Sequence, residues 1–271
     1  PPHDSYRRTD QQHAQGGQAR RRGPGHGLHP GRGPQAGGSG ASYIDVNAGA
    51  LVEGEVETLC WLVETVQAVV DLPCALDSPR PAAIEAAIQV HRGTPLINSI
   101  NLEKDRVEQL IPLAAQHKAK VIALAMDERI PETIQGRIDC AMKLIDTLNA
   151  GGVPDEDIFL DPCILGVGTW DGMTGDHPGV IAIETMKAVR ARSEAIHICS
   201  GLSNVSFGLP ARKLVNRAAM VLFMAAGMDS AICDPLDDAL MSIMLAAETV
   251  LNRDEFCANY IAASRAERLV V

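Results

Sequence analysis

Aromatic side chains are scarce: four Phe, three Tyr and two Trp make up 3% of the 271 residues. So few ring faces argue against a stacking groove for single-stranded nucleic acid or for carbohydrate. Clustered positive charge is lacking as well. The net charge is -10, whereas phosphate neutralisation needs grouped Lys and Arg, so nucleic acid is not an expected partner. No apolar run is long enough to span a bilayer, and no basic, apolar, small-residue leader opens the chain, so no membrane association is expected. The seven cysteines (60, 74, 140, 163, 199, 233 and 257) are odd in number, scattered, and never paired as C-x-x-C. They read as reduced, mostly buried thiols of a cytoplasmic protein, not as a disulfide or zinc framework. No G-x-S-x-G elbow supports a serine nucleophile.

What is present falls into two compositions. Residues 1–40 hold ten Gly, five Pro, six Arg and four His, with Leu28 the only large aliphatic. That segment carries a formal +4 and leaves -14 for the remainder. A stretch this poor in apolar residues cannot offset its ordering entropy, so residues 1–40 are expected to be disordered. From residue 41 the composition is that of a globular domain, 41–271, and the 46% hydrophobic content of the chain suffices for a large core.

Within 41–271, short apolar runs alternate with amphipathic stretches. The runs are Tyr43–Val46, Cys74–Leu76, Pro95–Ile97, Val121–Ala125, Ile158–Leu160, Ile196–Cys199 and Ala231–Cys233. Lacking polar alternation, they read as strands buried on both faces. The stretches Val56–Val70, Arg80–Val90, Glu103–His117, Glu132–Ala150, Val180–Arg192, Pro210–Ala226 and Leu236–Asn252 show helical spacing, as in Val107, Leu110, Ile111 and Ala114. Pro81 and Pro210 suit first helical turns, and Gly151-Gly152 suits a helix stop. Seven strand-then-helix units imply a parallel sheet; with one more they would make an α/β TIM (β/α)8 barrel whose first unit is corrupted or missing. An open doubly wound sheet is the alternative, but no G-x-G-x-x-G follows any strand, and Gly166-Val167-Gly168 is too short.

In a barrel, chemistry sits at the carboxyl ends of the strands. Those ends read Asp45-Val46-Asn47, Asp77-Ser78, Asn98-Ser99-Ile100-Asn101, Met126-Asp127-Glu128, Asp161-Pro162, Gly201-Leu202-Ser203-Asn204 and Asp234-Pro235. Any single Asp there could be a helix cap, and Asp77 and Asp234, each close to a proline, could be turn residues. Taken together, carboxylates and amides suit a neutral heterocycle bearing amino, amide and ring N–H groups, such as a pterin or purine. The rival is Mg²⁺ or Ca²⁺ binding, joined by His177 or His197. His197 shares a strand face with Cys199, and a structural role inside the fold is the expectation for it. Glu53, Glu55 and Glu57 read as a solvated acidic face.

Tyr-Ile-Asp-Val-Asn-Ala-Gly (43–49), Ala-Leu-Asp-Ser (75–78), Ile-Asn-Ser-Ile-Asn (97–101), Phe-Leu-Asp-Pro (159–162) and Gly-Leu-Ser-Asn-Val-Ser-Phe-Gly-Leu-Pro (201–210) resemble the pterin-binding methyltransferases. The branch resembled is methyltetrahydrofolate:corrinoid methyltransferase; the folate module of cobalamin-dependent methionine synthase and dihydropteroate synthase are more distant. The likeness runs from about residue 41 to about 262. It implies that Asp77, Asn98 and Asp161 hydrogen-bond the pterin ring, with Asp45 in a supporting network. It also implies that Gly201 and Ser203 line the pocket, that Asn204 lies near the methyl-bearing N5, and that Arg212 touches the folate. Phe207 stands where some members have Gln, which alters the pocket rim. Asn204 and Asp161 are the implied catalytic pair, with no bound metal. The implied partners are a folate substrate and a separate corrinoid protein supplying cobalamin, because the chain shows no spare domain for one; a homodimer is a further implication. A folate-binding protein without methyl transfer is the alternative of another class. A dihydropteroate synthase-like enzyme is disfavoured for want of Lys- and Arg-centred motifs.

The family opens with a strand and turn resembling Gly-Glu-Arg-Ile-Asn-Ser-Thr-Arg-Lys. Degenerate codons for Arg7–Gln15, read one base later, allow that same series. Residues from about 3 to 38 are therefore expected to be a frameshifted reading of the first strand and helix, leaving the neighbouring strand edges unpaired.

Overall fold

The computed structural model describes residues 27–28, 41–49 and 53–270. The expected disorder and the frame-shifted reading fall on residues that, apart from 27–28, lie outside the described ones.

Seven strands match the apolar runs to within three residues at either end: β2 (Tyr43–Asn47), β3 (Cys74–Asp77), β4 (Leu96–Ile100), β5 (Lys120–Leu124), β6 (Ile158–Asp161), β7 (His197–Ile198) and β8 (Ile232–Cys233). Strands β2 to β7 pair in sequence, all parallel. The wall closes where Gly201, just beyond β7, bridges Ile232 of β8, with the Ile232 N–H on the Ser200 carbonyl at 2.9 Å. Helices α1 (Glu55–Val69), α2 (Pro81–Val90), α3 (Lys104–His117), α4 (Ile134–Ala150), α5 (Pro178–Arg192), α6 (Arg212–Ala225) and α7 (Asp238–Val250) occupy the amphipathic stretches. A final helix, α8 (Ala258–Arg265), was not anticipated. The architecture is the α/β barrel that the strand-helix alternation implied.

Two apolar layers follow from the two-residue period of the strands. Tyr43, Ala75, Leu96, Ile122, Phe159 and Cys199 form one cluster inside the barrel. Alternate residues, among them Cys74, Leu76, Ile97, Val121, Ala123, Leu160 and Ile198, pack outward with the helices into the larger core. The barrel is therefore filled below its mouth, and its carboxyl end is left to polar side chains.

Two expectations need correction. The edges of β2 and β8 are paired: β1 (Gly27–Leu28) lies between them, antiparallel to both. A strand edge is a row of free backbone donors and acceptors, and two residues of either direction can meet it. Pro210 does not begin a helix. Ala211 adopts a left-handed conformation (φ 50°), which interrupts helical hydrogen bonding, and α6 starts at Arg212. Pro81, by contrast, opens α2, and Gly151 caps α4 with Gly152 at positive φ.

Candidate active site

The strand registers bring the polar residues to one rim. Asn47 lies beside Asp77, and Asp77 beside Asn98, on three consecutive strands; Leu124 of β5 lies beside Asp161. Asn98 donates from Nδ2 to Asp45 Oδ1 at 3.1 Å, and Asn47 donates from Nδ2 to Asp77 Oδ2. Asp45 is pushed up to about 7, chiefly by burial and then by the charge of Asp77, with the Asn98 hydrogen bond opposing. Asp77 is also raised by burial, and Asn47 and the Arg106 guanidinium hold it back. Arg106, in the first turn of α3, donates to the carbonyls of Ser78 (3.2 Å) and Ser99 (3.1 Å) and so ties together the ends of β3 and β4. An acid near neutrality beside a second carboxylate forms a group that can hold or release one proton at working pH.

Asp161, at the end of β6, is buried with both oxygens occupied. Oδ1 accepts the Cys163 N–H at 2.7 Å and Oδ2 the Gly201 N–H at 3.2 Å. Burial raises it to about 6, against those two hydrogen bonds and the charge of Arg137. Gly201 also has Asn204 above it: a Cβ at 201 would stand 3.1 Å from the Asn204 amide nitrogen. Asn204 itself is exposed, on the 3₁₀ segment Leu202–Ser206. Ser203 is exposed, and Phe207 is 53% exposed. Arg212 fastens this segment from the start of α6, donating from Nε to Ser206 Oγ (3.0 Å) and from Nη2 to the Ser203 carbonyl (2.7 Å).

Gly166-Val167-Gly168 has a packing function. A Cβ on Gly168 would come within 2.6 Å of Leu209 Cδ2, and one on Gly166 within 3.1 Å of the Phe207 carbonyl. The absence of side chains lets the loop after β6 lie against the loop after β7. Asp234 and Asp127 serve as turn residues, accepting the N–H groups of Leu236 (2.9 Å) and Arg129 (3.0 Å). Asp77 is not a turn residue. His197 lies at the other end of the barrel, stacked on Phe159 with centroids 4.4 Å apart and bonded from Nδ1 to Asp229 at 3.0 Å. The acidic face is corrected at Glu55, which is buried, accepts from Ser78 Oγ and pairs with Arg80 at 3.0 Å. Glu53 and Glu57 are exposed.

The site thus comprises two groups: Asp45, Asn47, Asp77 and Asn98 on β2 to β4, and Asp161, Gly201 and Asn204 at β6 and β7. Sequence reasoning set Asn47 at a strand end without giving it a role, although it shares a face with Asp45 by the two-residue period. Arg106 and Arg137 had no legible signal, because a helical Arg reveals its target only once the helix is docked. No three His, Cys, Asp or Glu side chains converge as cation donors among the described residues, and no described helix is long and apolar enough to cross a membrane. The donor set is one of carboxylates, amides and backbone N–H groups, suited to a flat ring with both donors and acceptors.

Comparison with known proteins identifies the family. Residues 34–234 match the pterin binding enzyme family. The chain is 34% identical over 230 residues to methylcorrinoid:tetrahydrofolate methyltransferase of Eubacterium limosum, covering 84% of this chain and 83% of that protein. It is 29% identical to methionine synthase of Mycobacterium leprae over 71% of this chain, a match that takes in 17% of that much longer protein. Among solved structures, dihydropteroate synthase of Yersinia pestis superposes with a TM-score of 0.59 at 20% identity, covering 79% of this chain and 84% of that one, a likeness of fold. The dihydropteroate synthase of Coxiella burnetii, in complex with pteroic acid, gives 0.59 at 16% identity over 80% and 82%. Barrel, polar mouth and sequence together show that this chain belongs to the pterin-binding enzyme family, among its methyltransferases.

Proposed function

We propose that the protein moves the N5-methyl group between methyltetrahydrofolate and the cobalt of a corrinoid carried by a partner protein. The observation that carries this reading is the pair of polar groups at the carboxyl ends of the strands, Asp45–Asn98 with Asp77–Asn47 and the Asp161–Gly201–Asn204 corner. Asp77, Asn98 and Asp161 bind the ring through its amino, amide and N–H edges, with Asp45 supporting Asn98. Gly201, Ser203, Phe207 and Arg212 shape the rim on the β7 side.

A tertiary amine is a poor leaving group, so methyl departs readily only as N5 gains positive charge. Groups that interact better with the charged ring than with the neutral one lower that barrier. Asn204 supplies such a group, because its amide can donate to neutral N5 and, by rotating, accept from protonated N5. The carboxylates of Asp161 and Asp77 favour the cationic ring electrostatically. When bound, the corrinoid cobalt supplies the site that accepts or yields the methyl group. The Eubacterium limosum relative is named for methylcorrinoid as donor, which favours transfer toward tetrahydrofolate. The residues serve both directions, since the same transition state is crossed.

An anaerobic spectral assay with methyltetrahydrofolate and Co(I) cobalamin tests the proposal. Conversion is expected, and Asn204→Ala is expected to lose about 10²-fold or more in rate while ring binding survives. Tight methyltetrahydrofolate binding without transfer to free cobalamin or to a corrinoid protein would leave a folate binder. Absence of binding would remove the reading at the pocket.

A further inference from the structure

Arg137, in α4, is 2% exposed and among the largest fully buried side chains of the described residues. Its guanidinium is given to main-chain carbonyls: Nε and Nη2 to Pro131 (Nε at 3.0 Å), and Nη1 to Pro162 and to Cys163 (2.8 Å). Cys163 is the residue whose N–H holds Asp161 Oδ1 at 2.7 Å. It also sits at φ 54°, a conformation that a non-glycine residue keeps only where its surroundings impose it. A cation buried in a helix thus clamps the turn that presents a donor to the site carboxylate.

We propose that Arg137 is a positioning residue for the reaction: it locks the Pro162–Cys163 turn so that the Cys163 and Gly201 N–H groups hold Asp161 ionised and facing the mouth. The proposal rests on the reading of Asp161 as a ring-binding group. The groups facing Asp161 are the Cys163 N–H and thiol on its own loop, the Gly201 N–H and the Cys199 thiol from just beyond β7, and Arg137 from α4. Arg137 in turn faces Cys140 and Glu132. Both thiols are raised by burial and stay neutral, so Arg137 is the cation opposing the desolvation of Asp161. Without it, the carboxyl would lose a positive neighbour and the fixed geometry of one N–H donor together, and both losses favour the protonated form.

The test is a titration of ¹³C-aspartate-labelled protein without ligand, with Asp161 assigned by Asp161→Asn. The wild-type midpoint is expected near 6, and in Arg137→Met it is expected to rise by about one to three pH units. Arg137→Lys, which keeps the charge and loses the forked contacts, is expected to fall between them. The acidic limb of methyltetrahydrofolate binding should move by the same amount, a change that loss of packing alone would not produce. An unchanged midpoint in a folded Arg137→Met overturns the proposal. If that variant does not fold, a Lys variant that titrates as wild type overturns it, as does a wild-type Asp161 that titrates above pH 7. A midpoint that moves as expected, with no ring binding at any pH, upholds the clamp and removes the ring-binding reading instead.

Discussion

Asp45 is the residue whose protonation the fold most plainly controls. Its ordinary value of 3.8 rises to about 7 because it is buried and shares the rim with Asp77. A carboxyl raised in the folded state binds more protons there than in the unfolded chain, so stability falls as pH climbs through the interval from about 4 to 7 and is constant outside it. Asp161, raised to about 6, adds to the same slope over a narrower interval. Asp45→Asn keeps an acceptor for Asn98 Nδ2 and removes the titration. We expect this variant to melt at the same temperature as wild type near pH 4 and about 2–8 °C above it at pH 8, read by calorimetry without ligand. Equal melting at both pH values would mean that Asp45 is ionised without cost. Ring affinity should move the other way, because the titrating carboxyl beside Asp77 is then lost.

At the scale of elements, the site depends on how the loops after β6 and β7 are held. The 3₁₀ segment Leu202–Ser206 is fixed by Arg212 from α6 and by the contact its following residues make with Gly166 and Gly168. Arg212→Ala frees the Ser203 carbonyl and Ser206 hydroxyl near the surface, where water can replace the guanidinium, so global stability should change little. The cost should appear in methyl transfer as lost orientation of Asn204, about tenfold in kcat, with a smaller change in KM. A thermal shift without a change in kcat would assign Arg212 to stability alone. Elements of this kind divide what was legible from what was not. The strands were readable because β3 and β6 are buried on both faces and must be apolar. The ends were readable because Asp45, Asp77, Asn98 and Asp161 interrupt those apolar runs. Arg106 and Arg137 were hidden, because they reach carbonyls 28 and 25 residues distant in sequence. Ala211 was hidden too, since nothing in an alanine announces a left-handed backbone.

For the whole molecule, the question is how evenly the barrel is closed. Strands β4 and β5 each run five residues and share four residue pairs, with one register shift between Asn98 and Ile100, whereas β1 and β8 are two residues each and the β7 side meets β8 through a single bridge. Barrel closure joins β8, late in the chain, to β2 through β1, so its entropy cost is high and the contacts offsetting it are few. The mouth is built unequally on this wall: Asp77 and Asn98 stand on its long-paired side, while Gly201 and Asn204 stand beside the short one. Opening should therefore begin at β8 and the β1-facing side of β2. Hydrogen–deuterium exchange is expected to show amides there at least about tenfold less protected than those of β4 and β5. A first strand running parallel in the β1 position, as the alternative reading of residues 3–38 would supply, should raise that protection toward the level of β4. Equal protection around the wall in the present chain would show that β1 closes the barrel as firmly as a full strand, and would leave the alternative reading without a structural motive.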